Sequence, residues 1–495
     1  MAMVGFEVLT QDEVQRIHQA SMTILEEVGV QTPYAKAQDL FEAAGAAVDR
    51  ETGVVKIPEN LVQWAVEKAP ETFSLYGREA SFKLDIQPGA VNFAGLGTPT
   101  RIVDMDSEDI RETTREDMIR HIILINACQH IHNSQMDVWP NDIPMNTIHG
   151  EAIWAWAHHS SKSFGMGCYG YLATLDMMKM MAISVGGKDA LREKPRFMAI
   201  CSVMSPLQMA QLQVEGLLIC AAYGQPVAVS PEGIAGATAP ATLAGLLAQE
   251  NAAILAHIVL AQIFNPGTPV LYGTVSTIAN MRHGTVALGA VETGLITAAS
   301  AQLARHYGLP TRAVGAATDA KIEDVQAGME RTANLIPAVL SGVNMITCGG
   351  TLDGTMIESD PLLLLDDELC GAILRMREGI RVDAEHLALD VIREVGYSGN
   401  YLAEDHTVQH YRKEHFLPRL SVRDPYDTWE KAGKPTALDN ARERVRKILA
   451  QHEPQELDGA VESELADAMA EVAGREIDAF YAAEMPENQD WRALE

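Results

Sequence analysis

The chain has 495 residues, 47% hydrophobic and 21% charged, with a formal net charge of −29. That is enough apolar material for a sizeable core, in roughly two to four domains or in one (β/α)8 barrel with additions. So acidic a chain repels phosphate backbones, which excludes nucleic acid as a partner; its charge serves solubility or the steering of a cationic substrate.

The N-terminal MAMVGFEVLTQDEVQ lacks a basic n-region and an apolar h-region. No uninterrupted apolar run reaches the ~18 residues of a membrane span. The nearest, Ala252 to Phe264, is broken by His257 and Gln262. Cys128, Cys168, Cys201, Cys220, Cys348 and Cys370 lie far apart, with no CxxC. These features predict a soluble, cytoplasmic protein with reduced thiols and no membrane partner.

Residues 1–88 predict an α-rich extension. Thr10 and Glu13 have capping-box spacing, Val14, Ile17, Ile24, Leu25 and Val28 follow a helical period, and Gly29 stops it. A second helix is predicted over Pro58–Lys68, flanked by the strand-like VVKIP and FSLYG.

From residue 89 the pattern changes. Short β-rich runs occur at 91–97, 132–139, 163–171, 197–205, 226–233, 269–276, 311–319 and 343–350. Helix-like segments follow them, among them Gln208–Ala222, Ala241–Ile263, Val286–His306 and Asp324–Leu340. Strands separated by single helices predict parallel βαβ units, and eight of them predict a closed (β/α)8 TIM barrel over 89–379. An open doubly wound sheet is less well supported, because no GxGxxG follows the first strand. Residues 380–495 predict an acidic helical region that either caps the barrel floor or builds an oligomer interface.

In a barrel of this kind the working residues sit at the C-terminal strand ends. Here they include Phe93, Asp137, Trp139, Tyr169, Tyr171, Glu232, Tyr272, Ala317 and Asp319. Aromatic faces attract quaternary ammonium groups, so Phe93, Trp139, Tyr169, Tyr171 and Tyr272 are candidates for a cation pocket, or else ordinary packing at the mouth. Glu232 and Asp319 can pair with a substrate cation; Asp319 can equally cap the following helix. Cys168, Cys201 and Cys348 fall near three strand ends, so their convergence on a metal is conceivable. No local ligand motif supports it, adjacent His158 and His159 do not share a helix face, and no metal is expected.

Several stretches together carry a family resemblance: LTQDEVQRIHQASMTILEEVGV, VVKIPENLVQWAVEKAPETFSLYGR, KPRFMAICSVMSPLQ, PGTPVLYGT, and GLPTRAVGAATDAKIEDVQAGMERT over Gly308–Thr332. They are similar to the trimethylamine–corrinoid methyltransferase family. In its archaeal trimethylamine members a pyrrolysine, encoded by an amber codon, sits just before an (S/T)DAK run. Here Ala316 and Ala317 stand ahead of Thr318, Asp319, Ala320 and Lys321, and Ala317 takes the pyrrolysine position.

The resemblance implies a barrel, methyl transfer from an amine to cobalamin carried by a cognate corrinoid-binding protein, no covalently bound cofactor, and a homo-oligomer. Members without pyrrolysine include enzymes that demethylate quaternary amines, notably glycine betaine. That is the activity implied here; the alternatives are another betaine, such as carnitine or proline betaine, or a non-catalytic betaine-binding protein. A quaternary ammonium leaves as a neutral tertiary amine and needs no general acid, so positioning and a matched electrostatic environment suffice.

Overall fold

The computed structural model describes residues 5–135 and 138–494, the side chains of 492 and 493 aside. Eight parallel strands close a barrel. They are β1 (Asn92–Ala94), β2 (Ile131–Ser134), β3 (Ser163–Gly167), β4 (Phe197–Val203), β5 (Val227–Pro231), β6 (Val270–Thr274), β7 (Thr311–Val314) and β8 (Met345–Thr347). Pairing of Ile346 with Phe93 joins β8 to β1 and completes the ring. The main helix after each strand is, in order, α1 (Arg115–Ala127), α2 (Ile148–His159), α3 (Tyr171–Val185), α4 (Gln211–Ala222), α5 (Leu243–Phe264), α6 (Val291–His306), α7 (Val325–Leu340) and α8 (Asp360–Glu378). Seven of the eight runs read from the sequence contain their strand; the second, 132–139, starts one residue late, since β2 begins at Ile131.

Successive residues of a strand face opposite sides of the sheet, so each barrel strand splits into an inward and an outward set. Ala94, Met198, Ala228, Leu271 and Met345 point inward and form one apolar layer with Leu75, Leu84 and Ile86. Those last three come from an antiparallel hairpin, Phe73–Tyr76 paired with Lys83–Ile86, which plugs the N-terminal end of the barrel. The floor is therefore closed by the N-terminal extension and not by the C-terminal tail. The outward set, including Phe93, Ile131, Ala313 and Ile346, packs on Leu124 of α1 and Leu335 of α7.

The extensions wrap opposite sides of the helical ring. At the N-terminus, Thr10 caps a helix over Gln11–Thr23 with both halves of the capping box formed. That helix and the helix Glu59–Lys68 pack on α5. The helix Ala437–Gln451 packs on α8 and α1, and Gly459–Ala473 on α3 and α2. His158 and His159 belong to this contact: His158 meets Glu462 at 3.0 Å and His159 meets His452 at 2.9 Å. Helix α5 is long and apolar enough, by length and composition, to cross a bilayer. The broken run seen in the sequence understated it because the helix continues upstream of Ala252. In the fold, Leu246, Ile254, Leu255, Ile258 and Val259 of α5 are all buried.

Two buried charged groups, Lys162 and Arg331, pin the ring; a third ionisable group, Glu250, is buried in it uncharged. The Lys162 ammonium donates to the carbonyls of Ile125 (2.8 Å), Cys128 (2.6 Å) and Ile131 (2.7 Å), tying the end of α1 to the start of β2. Arg331 of α7 donates through Nε to Asp366 Oδ1 of α8 at 2.8 Å, and its other nitrogens reach Asp366 Oδ2 and the Thr351 carbonyl. Asp366 also accepts the Gly350 N–H at 2.8 Å. The third group is Glu250 of α5, where burial raises the pKa to about 8 against the opposing pull of hydrogen bonds from Thr274 and Ser276.

Two predictions follow from these groups. Asp366→Ala leaves the Arg331 guanidinium buried and uncompensated, so urea unfolding should show a loss of about 3–5 kcal/mol. For Glu250 the folded pKa lies above the ordinary value of 4.5, so the folded state holds a proton that the unfolded chain has released. Its stabilising contribution is present below pH 4.5 and is lost as the pH rises through about 8. Relative to wild type, Glu250→Gln should gain stability by up to about 1.4 kcal/mol per pH unit across that window and level off above it. Urea melts of both proteins at a series of pH values test this.

Candidate active site

Two small sheets rise above the C-terminal end of the barrel. One joins Thr277–Asn280 and Thr285–Ala287 with Ile234–Ala235; the other joins Thr351–Leu352, Ile357–Glu358, Arg101–Val103 and Ile110–Glu112. Between them lies a cavity of about 920 Å³. Its lining includes Leu96, Gln135, Gly167, Tyr169, Ser202, Glu232, Val275, Thr277, His283, Leu288, Arg312, Asp319 and Lys321. The position agrees with the general location of barrel active sites.

The inward register brings Gln135, Ser202, Glu232 and Arg312 to this cavity. Arg312 is 4% exposed, and its Nη2 donates to Gln135 Oε1 at 3.3 Å. Glu232 is reached by solvent through the mouth but is surrounded by protein on most sides. That burial raises its pKa, and the charge of Arg312 pulls it back. Glycine makes room at this level: a side chain at Gly273 would stand 2.2 Å from Ser230 Oγ, and one at Gly167 2.7 Å from the Tyr169 ring.

The turn after β7 is built by hydrogen bonds from three directions. Glu330 of α7 accepts the Thr318 hydroxyl at 2.6 Å and the Asp319 N–H at 2.8 Å. Gly354 donates its N–H to the Thr318 carbonyl at 2.9 Å, and Asp353 donates to that of Ala320 at 2.7 Å, which joins the loops after β7 and β8. The Lys321 ammonium meets Asp353 at 2.5 Å. Burial raises the pKa of Asp319, although hydrogen bonds from the Gly289 and Leu288 backbone and the charge of Lys321 favour its ionised form. Helix α7 is capped by Asp324, whose side chain accepts from Ala327, so Asp319 is not the helix cap. Ala317 is fully buried with Leu96, Leu288 and Val314, and Val275 packs on this group. It forms part of an apolar wall behind the cavity.

Of the aromatic candidates, Tyr169 alone lines the cavity; burial holds its phenol neutral, with a pKa raised to about 12. Trp139 stands behind it, edge-on at 5.9 Å between ring centroids. The other three face away. Phe93 is on the outward side of β1, in the core shared with α1 and α7. Tyr272 points outward from β6, stacks on Tyr307 at 6.2 Å and donates to Asn251 of α5 at 3.0 Å. Tyr171 lies past the strand, at the first residue of α3, where its hydroxyl donates to the Asp490 carbonyl at 2.9 Å and its ring meets Trp491. A cage of Tyr272, Trp139 and Tyr169 is therefore not assembled. Asp137 lies outside the described residues.

Arg312, Gln135, Ser202 and Lys321 were not singled out from the sequence. The signal was present in the strand period: Leu271 and Gly273 face inward, so Tyr272 between them faces out, and the same alternation turns Arg312 in. The cysteines do not converge. Cys168 and Cys201 share one core with Cys220, while Cys348 sits 3.4 Å from Cys370 in another. Among the described residues, His121, Glu358 and Asp360 bring three ligand-type atoms within 4.8 Å of one another. They belong to a buried ion-pair network in which Arg120 bonds both Asp360 and Asp117.

Tyr169 and Tyr272 should respond differently to substitution. Tyr169→Ala should weaken binding of a quaternary ammonium ligand by about 0.5–2 kcal/mol in calorimetric titration. Tyr272→Phe should leave that affinity unchanged and lower stability by about 1–3 kcal/mol, because the buried Asn251 Oδ1 loses the donor it has in Tyr272.

Comparison with known proteins identifies the family of the chain. The family model described as trimethylamine methyltransferase (MTTB) matches residues 2–475. The chain is similar to the glycine betaine methyltransferase of Desulfitobacterium hafniense (strain Y51), with 35% identity over 475 residues, 95% of this chain and 98% of that one. It is 34% identical over 456 residues to the trimethylamine methyltransferase MttB of Desulfitobacterium hafniense (strain DSM 10664 / DCB-2), covering 92% of this chain and 91% of that one. The solved monomethylamine methyltransferase of Methanosarcina barkeri is similar at a TM-score of 0.47 and 14% identity, over 89% of this chain and 95% of that one. With a family match across nearly its whole length, the chain belongs to the trimethylamine methyltransferase family.

Proposed function

We propose that this protein moves a methyl group from a small quaternary amine, glycine betaine first, to a corrinoid carried by a partner protein. The observation that carries this reading is the charge arrangement of one cavity: a buried guanidinium, Arg312, beside the carboxylate of Glu232, with Asp319 also in the lining. A betaine is a zwitterion with a permanent cation at one end and a carboxylate at the other. The two carboxylates and the face of Tyr169 suit the ammonium. Arg312 suits the carboxylate, by a charge-assisted and geometrically specific contact. Trimethylamine offers Arg312 nothing.

Ala317 supports the same reading. At the position opposite pyrrolysine it presents only a methyl group to the apolar wall of Leu96, Leu288 and Val275. No side chain at that point can form an adduct with a small amine, so orientation falls to the charged groups. The corrinoid supplies a Co(I) nucleophile that accepts the methyl group. The chain aligns the N–CH3 bond with the open mouth and surrounds a cation whose charge disappears as the bond breaks. The electron pair stays on nitrogen, and the neutral amine needs no proton.

The rim suits a large flat macrocycle: Met281, Val286 and Met356 are exposed there, on the loops after β6 and β8. The chain needs no bound cofactor of its own in this scheme. Its six free buried thiols suit the reducing conditions of the cytoplasm. The cavity volume favours a second reading, a bulkier betaine such as carnitine or proline betaine, and binding without turnover is the third.

Methylcobalamin formation under reducing conditions separates these readings. Transfer from a betaine should exceed transfer from trimethylamine, and a panel of betaines ranks the substrate. Arg312→Gln should weaken glycine betaine by about 2–5 kcal/mol and leave tetramethylammonium, which has no carboxylate, nearly unaffected. Equal or faster turnover of trimethylamine would overturn the betaine assignment; tight betaine binding without transfer would leave a binding protein.

A further inference from the structure

Helix α3 begins without a cap of its own. Its N-cap position is Gly170, which has no side chain to accept a hydrogen bond, and its first turn carries no acidic residue. The first N–H groups of a helix have no intrahelical partner and need acceptors from elsewhere. Here the acceptor comes from the far end of the chain. Glu484, the last residue of the helix Ile477–Glu484, lies 313 positions beyond Tyr171. Its Oε2 accepts the Tyr171 N–H at 2.7 Å, and its Oε1 accepts those of Leu172 at 2.8 Å and Ala173 at 3.2 Å. A carboxylate at this point also meets the positive end of the helix dipole.

Gly170 lets the two segments meet. Its φ is +92°, and a side chain on it would collide with Glu484 Oε2. The carboxylate therefore lies directly against the turn that joins β3 to α3. That turn runs from Cys168 to Gly170, and its middle residue is Tyr169, which lines the cavity. The Tyr169 ring folds back over Gly167, where the missing side chain leaves it room. From α4, the Leu212 carbonyl accepts the Gly170 N–H at 3.1 Å.

The C-terminal segment is itself fixed to the helical ring. Gln489 donates to Glu215 Oε1 of α4 at 2.6 Å and to the Glu484 carbonyl at 2.9 Å. Arg475 meets Asp176 of α3 at 2.5 Å. Glu215 and Asp176 are buried, so these contacts anchor the segment at buried points of α4 and α3.

We propose that Glu484 is a positioning residue for the cavity: by capping α3 it fixes the turn that carries Tyr169, and so sets the ring that faces the ammonium group. The turn has two ends. At one end β3 is held by its neighbouring strands, and at the other the start of α3 is held by the Glu484 carboxylate. Without that carboxylate the first turn of α3 frays, and Tyr169 loses its support on the helix side.

Fluorine NMR of the full chain labelled with fluorotyrosine tests this, with the Tyr169 signal identified by its disappearance in Tyr169→Phe. Glu484→Ala should shift or broaden that signal and leave the Tyr272 signal in place. Glu484→Gln, which keeps one acceptor oxygen, should bring the Tyr169 signal back toward that of the wild type. Calorimetric titration with tetramethylammonium gives the second readout. Glu484→Ala should weaken binding by roughly two- to tenfold when Tyr169 is present, and by less than about twofold in a Tyr169→Ala background, because residues that act through one another are not additive. The titration rests on the proposed function; the fluorine signal does not. A Tyr169 signal that Glu484→Ala leaves unmoved overturns the proposal. So does a loss of affinity as large without Tyr169 as with it. A moved signal, with affinity unchanged in both Glu484→Ala and Tyr169→Ala, upholds the positioning role and removes Tyr169 from ammonium recognition in the proposed function.

Discussion

The two-residue period of a closed parallel barrel decides almost everything about this site. A strand residue faces either the lumen or the helices, and no side chain can do both. The lumen is narrow, so positions such as Gly165 and Gly273 stay bare because backbone or hydroxyl groups already occupy the space a side chain would take. Above this tightly filled level the lumen opens into the cavity that Gln135, Glu232 and Arg312 line. A buried guanidinium next to a carboxylate is costly to assemble, and a barrel can hold it because eight strands fix the backbone around it.

This constraint explains what was legible in the sequence. Eight short apolar runs with helices between them are enough to indicate the barrel, since each βαβ unit closes locally. Capping signals were legible for the same reason, as at Thr10 and Glu13. The small sheets at the mouth were less visible. Their strands are two to four residues long and depend on partners far away in sequence, such as Ile357 on Arg101. The floor plug depends on a hairpin whose second strand, Lys83–Ile86, carries little apolar signal of its own.

The candidate site was legible by position and less so by direction. Glu232, Asp319 and Tyr169 lie where strand ends meet the cavity. Phe93 and Tyr272 lie at the same height on the wrong face. Aromatic chemistry suggests a cation cage, but a large ring on the outside of a barrel is also what the helix layer needs. Tyr272 fills that need by stacking on Tyr307 and bonding Asn251. Composition cannot separate the two roles; the register can, because glycine on one side of Tyr272 fixes which way the ring turns.

Under the proposed function the pocket would hold a cation more by charge than by aromatic surface, and this has a chemical consequence. Burial raises the pKa of both Glu232 and Asp319, so each ionises more readily when a positive group sits beside it. A permanent cation stabilises the two carboxylates on entry. As the methyl group departs and nitrogen becomes neutral, that stabilisation fades and the amine loses its hold on the site. With a betaine seated as proposed, Arg312 would hold the carboxylate throughout, since that end of a betaine does not change charge in the reaction. The electrostatics therefore favour release of the ammonium end first, with the carboxylate as the pivot. An aromatic cage alone would lack this asymmetry between the two ends of the substrate.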